Sequence, residues 1–192
     1  MTSFSKPTAT IHLRQTLLAV ALAAAANIAL ANPIEVSPSS FFVKIEEEIN
    51  ATPGKVFGAL VTPDQWWSGR HTYSDDAHNL SLEPVAGGCF CERWPEGSAE
   101  HARVILVKKD ALIRMTGSLG PLQPMAVLGV LEFATAAQNG KTLLKVSYRV
   151  NGTPASKLDQ LADPVNGVLT DQAERLKRFV ETGSPERASG VQ

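Results

Sequence analysis

The chain has 192 residues, with 18 Lys and Arg against 19 Asp and Glu, giving a formal net charge of −1. Such an even, well-mixed balance excludes the clustered basic surface that phosphate backbones require, so nucleic acid is not an expected partner. The densest run of cations, Arg175-Leu176-Lys177-Arg178, falls late in an expected helix, where positive charge complements the helix dipole.

The first segment, residues 1–31, reads as a secretory signal peptide. Lys6 and Arg14 precede an apolar, Ala-rich run from Thr16 to Ala31, which ends Ala29-Leu30-Ala31 before Asn32-Pro33. The run is short for a membrane span, and small residues at −3 and −1 suit signal peptidase. An uncleaved anchor is the alternative, but no Lys/Arg cluster follows Ala31 to support it. The expected product is periplasmic or secreted, without a stable membrane anchor. Losing those two cations moves its charge from −1 to −3, and its length of about 160 residues suits one domain.

After a linker at 32–39, Phe41, Val43, Ile45 and Ile49 alternate with Lys44, Glu46 and Glu48 and predict a half-buried strand over 41–49. Glu47 breaks that alternation and is expected near solvent at a strand end. Thr52-Pro53 is an N-cap followed by a first-turn proline, launching a short helix with Val56, Phe57 and Leu60 inward. Thr62-Pro63-Asp64 repeats the signal for a turn or two carrying Trp66 and Trp67.

A short strand is expected at 80–84, ending at Pro84, then strands at 89–94, about 100–108, 111–117, 125–135 and 142–150. Asp110 and Asn139-Gly140-Lys141 supply hairpin turns, so the sheet is antiparallel. The period then changes to three-and-four. A short helix is expected over about 154–162 and a long one over about 164–182, with Asp163-Pro164 as cap and first turn and Gly183 as stop. The tail, 183–192, is expected to be disordered.

These elements predict an α+β fold, one curved antiparallel sheet whose apolar face only the long helix is large enough to cover. A bent sheet gripping a helix leaves a space suited to a small apolar ligand. Three stretches resemble the START-like (SRPBCC) superfamily, and within it the branch similar to activators of the heat-shock-protein-90 ATPase and to polyketide cyclases. Ile49-Asn50-Ala51-Thr52-Pro53, running on to Leu60, resembles the family's first strand-to-helix passage. Thr62-Pro63-Asp64-Gln65-Trp66-Trp67 resembles its second helix, and Leu82-Glu83-Pro84-Val85-Ala86-Gly87-Gly88-Cys89-Phe90 its hairpin. The resemblance implies a helix-grip domain over 40–182. It departs from the pattern in being exported, whereas the co-chaperone role is cytosolic, and in Cys89-Phe90-Cys91, where relatives place a large polar residue first.

Cys89 and Cys91, two apart in a strand, would have Cα atoms about 6.6 Å apart and near-parallel side chains, so a disulfide needs a bend or bulge. Buried free thiols are the expected state. A metal site is not expected, because His71, His78 and His101 have no characteristic spacing to the pair.

Trp66, Trp67, Phe90 and Trp94, with Met115, Phe133 and Tyr148, are candidates for a ligand wall, with ordinary core packing as the alternative. His101 and Arg103 share one face of their strand. Either both enter the cavity, or Ala102, Val104 and Leu106 do and both polar residues face solvent. Glu132 is expected to face solvent, the alternative being a cavity acid. The apolar loop Gly117-Ser118-Leu119-Gly120-Pro121-Leu122 is either a lid over the cavity mouth or a plain hairpin.

No triad, phosphate-cradling loop or dinucleotide fingerprint is present, and no cofactor is expected. The leading expectation is a module binding a small hydrophobic or amphipathic molecule. The alternatives are a cofactor-free cyclase- or hydrolase-type enzyme using His101, Arg103, Glu132 or Tyr148, and a protein–protein adaptor, for which the resemblance is the support.

Overall fold

The computed structural model describes residues 1–2 and 35–187. The stretch read as a signal peptide therefore lies almost wholly outside the described residues, as do residues 188–192. Among the described residues eight strands form one antiparallel sheet, in the spatial order β1 (Glu35–Ser37), β2 (Ser40–Ile49), β8 (Lys141–Asn151), β7 (Leu128–Gln138), β6 (Leu112–Thr116), β5 (Gly97–Lys108), β4 (Cys89–Trp94) and β3 (Leu80–Leu82). A short helix, α1 (Pro53–Leu60), and a long one, α2 (Ala162–Thr182), lie against it. No helix among the described residues is long and apolar enough to cross a membrane.

The elements follow the sequence logic closely. β2 (Ser40–Ile49) buries Phe41, Val43, Ile45 and Ile49. Thr52 caps α1 by accepting from Lys55 N at 3.4 Å. β7 (Leu128–Gln138) and β8 (Lys141–Asn151) are joined at Asn139-Gly140, both with positive φ (51° and 78°), as a two-residue turn matched to strand twist requires. Gly183 ends α2 in the left-handed conformation, its N–H donating to Phe179 O at 2.8 Å.

The structure departs from the expected elements in three places. β1 (Glu35–Ser37) pairs with β2 inside the stretch read as linker. The expected helix over 154–162 is two 3-10 turns, because Lys157 between them takes a left-handed φ of 50°. α2 consequently begins at Ala162, and Asp163 sits in its first turn rather than at its N-cap. Residues 183–187, at the start of the expected disordered tail, bond back onto α2. Arg178 Nε donates to Pro185 O at 2.8 Å and Arg175 pairs with Glu186 at 2.7 Å.

β3 (Leu80–Leu82) and β4 (Cys89–Trp94) lead into β5 (Gly97–Lys108), β5 into β6 (Leu112–Thr116). β5 is bulged twice. Phe90 faces Ala102 while Cys91 faces Glu100, so His101 is an extra residue. Val104 faces Met115 while Leu106 faces Arg114, so Ile105 is another. Each extra residue breaks the in-out alternation. His101 and Ala102 are therefore both buried, Arg103 and Ile105 are exposed, and the inward series continues through Val104.

The first bulge also corrects the expectation of free thiols. Cys89 and Cys91 are joined in a disulfide, with Cα atoms 5.3 Å apart, because the irregularity brings them nearer than a regular strand would.

The solid core lies where α1 and the second half of α2 cover the sheet, with Phe41, Ile45, Leu131, Val146, Leu176 and Val180 among its members. The cation run on α2 is used inside the molecule. Arg175 Nε donates to Trp66 O (2.9 Å), Lys177 pairs with Glu47 (2.9 Å) and Arg178 with Glu174 (3.3 Å).

Candidate functional site

Beyond that core the sheet and α2 part around a cavity of about 680 Å³. Phe90 and His101, from β4 and β5, form its sheet side. Val165, Val168 and Leu169, on the first half of α2, form the helix side. Trp67 and the segment Arg70–Tyr73 close one flank, and residues 119–124 the other.

The second flank is the apolar loop singled out in the sequence. It is a wall tied in place rather than a plain hairpin. Residues Gly120–Met125 form a 3-10 turn with Leu122 fully buried. Tyr148 holds the start of the loop, its hydroxyl donating to Gly117 O (2.9 Å) and accepting from Leu119 N (3.1 Å). Ser118 Oγ donates to Val127 O (2.5 Å), and Tyr73 OH, from the opposite flank, donates to Gly120 O (3.1 Å).

The polar end of the cavity is one connected network. Glu92, two residues after Phe90 and so on the same strand face, is fully buried. Its Oε2 accepts from Tyr73 N (2.9 Å) and from His101 Nε2 (2.9 Å), and its Oε1 from Ser74 N (2.6 Å). Burial opposes charge on this carboxyl, but the bonds from Ser74, Tyr73 and His101 outweigh it and hold it below the usual carboxylate range. Burial pushes His101 down, only partly countered by Glu92, so its imidazole is neutral at neutral pH. The pair is thus a carboxylate accepting from a neutral ring. Tyr73 stacks on that ring (centroids 5.5 Å, 15°) and Phe90 lies against it at 5.2 Å. His71 is a second imidazole in the wall, its Nδ1 buried without a hydrogen-bond partner among the described residues, and burial lowers its pKa also.

Of the nine candidates, Trp67, Phe90 and His101 come together in the cavity. Trp66 packs against Trp67 (centroids 5.3 Å, rings tilted at 58°) from within the core, its Nε1 donating to Ala59 O. Met115, Phe133 and Tyr148 are also core residues, and Trp94 sits at the β4–β5 hairpin, opposite Gly97. Arg103 points away, bonded to Glu100 and to Gly87 O. The assumption that His101 and Arg103 must share a face fails because the bulge separates them. Glu132 lies on the outer face, paired with Arg114 at 2.6 Å, as its solvent-facing reading expects.

Glu92, Tyr73 and the start of α2 were not singled out in the sequence. Glu92 carried a signal, the i+2 spacing from an inward Phe90. Tyr73 carried none, since its place depends on an irregular loop. Among the described residues no group of three or more His, Cys, Asp or Glu could hold a metal ion.

No family model and no curated protein matches the sequence, whereas solved structures match the fold. A conserved protein of unknown function from Enterococcus faecalis superposes with a TM-score of 0.55 at 18% identity, over 81% of each chain. DynU16, a putative protein in the dynemicin biosynthetic locus, gives 0.56 at 18% identity, over 79% of this chain and 51% of that one. The Aha1 dimer from Colwellia psychrerythraea gives 0.52 at 17%, over 74% and 97%. At these identities the likeness is one of fold alone: the chain has an α+β helix-grip architecture.

Proposed function

We propose that the protein is exported and encloses one small hydrophobic or amphipathic molecule between its sheet and the first half of α2. The observation that carries this reading is a cavity of about 680 Å³ walled by Trp67, Phe90, Leu122, Val165, Val168 and Leu169, with polar groups gathered at one end. Ligand sites of this size are mostly apolar with a few fixed polar groups. The apolar amino-terminal run supports export.

Native mass spectrometry of the protein taken from its own extracytoplasmic compartment tests the reading. A co-purifying molecule of a few hundred daltons is the expected result. Val168→Trp, which fills the cavity from the helix side, should abolish uptake of an apolar fluorescent probe while leaving the fold intact. Unchanged uptake would count against the cavity as the site.

A second reading, a cofactor-free enzyme, is favoured by the His101–Glu92 pair. An imidazole braced by a buried carboxylate can take a proton at its other nitrogen, the carboxylate stabilising the imidazolium. His101→Ala separates the two: a carrier keeps its uptake of an apolar probe that makes no hydrogen bond, whereas an enzyme loses turnover while still binding.

A further inference from the structure

We infer that the occupant of this cavity presents a hydrogen-bond donor, a hydroxyl or an N–H, to His101 Nδ1, and that the site discriminates against carboxylates and ethers of the same shape. This rests on the cavity being a ligand site. It does not depend on whether a reaction follows.

The selectivity comes from a fixed tautomer. Glu92 is clamped by two backbone N–H groups, those of Tyr73 and Ser74, at 2.9 and 2.6 Å. Its Oε2 also faces His101 Nε2 at 2.9 Å. An ionised carboxylate has lone pairs and no hydrogen, so Nε2 must carry the proton of the neutral ring. Nδ1 is then a bare lone pair, and it has no hydrogen-bond partner among the described residues.

An occupant that donates there completes the network. An ether or ketone sets lone pair against lone pair and leaves Nδ1 desolvated and unpaired, a penalty sites built around a hydrogen bond impose on analogues lacking it. A carboxylate suffers this clash and also meets the nearby charge of Glu92. Arg70 is the cation of the lining, but it is exposed and screened by water, whereas Glu92 is buried.

Three naphthalenes of similar size test this: 2-naphthol, 2-methoxynaphthalene and 2-naphthoate, titrated against the full exported protein at neutral pH by fluorescence. 2-Naphthol should bind about tenfold more tightly than 2-methoxynaphthalene, the worth of one desolvated hydrogen bond, with 2-naphthoate weakest. In His101→Phe, which keeps an aromatic ring in place, the naphthol preference should vanish while 2-methoxynaphthalene still binds. Independently, ¹⁵N chemical shifts of the imidazole should report a protonated Nε2 and a bare Nδ1, a readout that needs no ligand.

Equal affinities for naphthol and its methyl ether, tightest binding of naphthoate, or an Nδ1–H tautomer would each overturn the inference and leave the cavity reading standing. Failure of all three compounds to bind would overturn the cavity reading and this inference with it.

Discussion

Tyr148 joins the solid core to the hollow part of the molecule. Its ring is fully buried against Phe41 (6.1 Å), and burial pushes its hydroxyl pKa up to about 12, so the group stays protonated and bonded to the loop at Gly117 and Leu119. Gly129 makes room for it, since a Cβ there would lie 2.5 Å from the Tyr148 hydroxyl. Tyr148→Phe removes two bonds at once and strands a backbone donor and acceptor, a loss of about 1–3 kcal/mol. Chemical denaturation should show that loss, and apolar-probe affinity should fall because the 119–124 wall loosens. Unchanged probe binding would mean that the wall is held by its other ties, those of Leu122, Ser118, Gln123 and Tyr73. Alternation along 142–150 points Tyr148 inward, and the structure buries it. Whether an inward ring meets a ligand or a neighbour depends on how the opposite layer fills the space, which period does not encode.

At the scale of elements, β4 and β5 build the polar end of the site between them. The disulfide spans Phe90 on β4, level with the bulge that turns His101 inward on β5. Its ring encloses so few residues that the chain-entropy gain is small, about 1.5 kcal/mol. It also spans the bend at which Phe90 meets His101, so it is placed to hold that bend. Cys89→Ser with Cys91→Ser should therefore lower stability by about that amount. It should also broaden the His101 ring resonances in NMR, as the pairing of β4 and β5 gains freedom to become regular. A doubly substituted protein with sharp, unshifted His101 signals would show that the bulge stands without the crosslink. Most strands and both helices were legible because burial on one face prints a period into the chain. The bulges were not, since an extra residue leaves composition and hydrophobicity untouched and shows only when the partner strand is known.

For the whole molecule, the buried ionisable groups around the cavity give stability a definite pH sign. Burial holds His101 and His71 below their ordinary value of 6.5, and hydrogen bonds hold Glu92 below 4.5. The unfolded chain therefore takes up protons first as pH falls, so stability is full above about 6.5 and declines on acidification. The histidines act first, and Glu92 follows below 4.5. The Tm should drop as pH is lowered from about 8 to about 5. His101→Phe should flatten part of that slope, and a Tm rising over this range would contradict the account. The general plan, a sheet closed by a terminal helix, was readable from the order of periods alone. A space between sheet and helix was expected as well, but which end of the interior holds it was not legible, because the same types of apolar residue line the packed end and the open one. The extra residue in β5 also bears on kinship. A homologue one position shorter between Gly97 and Ala102 would turn the equivalent of His101 to solvent even with every side chain retained. Among distant members of such a lineage, spacing in this strand would report the chemistry of the interior more faithfully than amino-acid identity does.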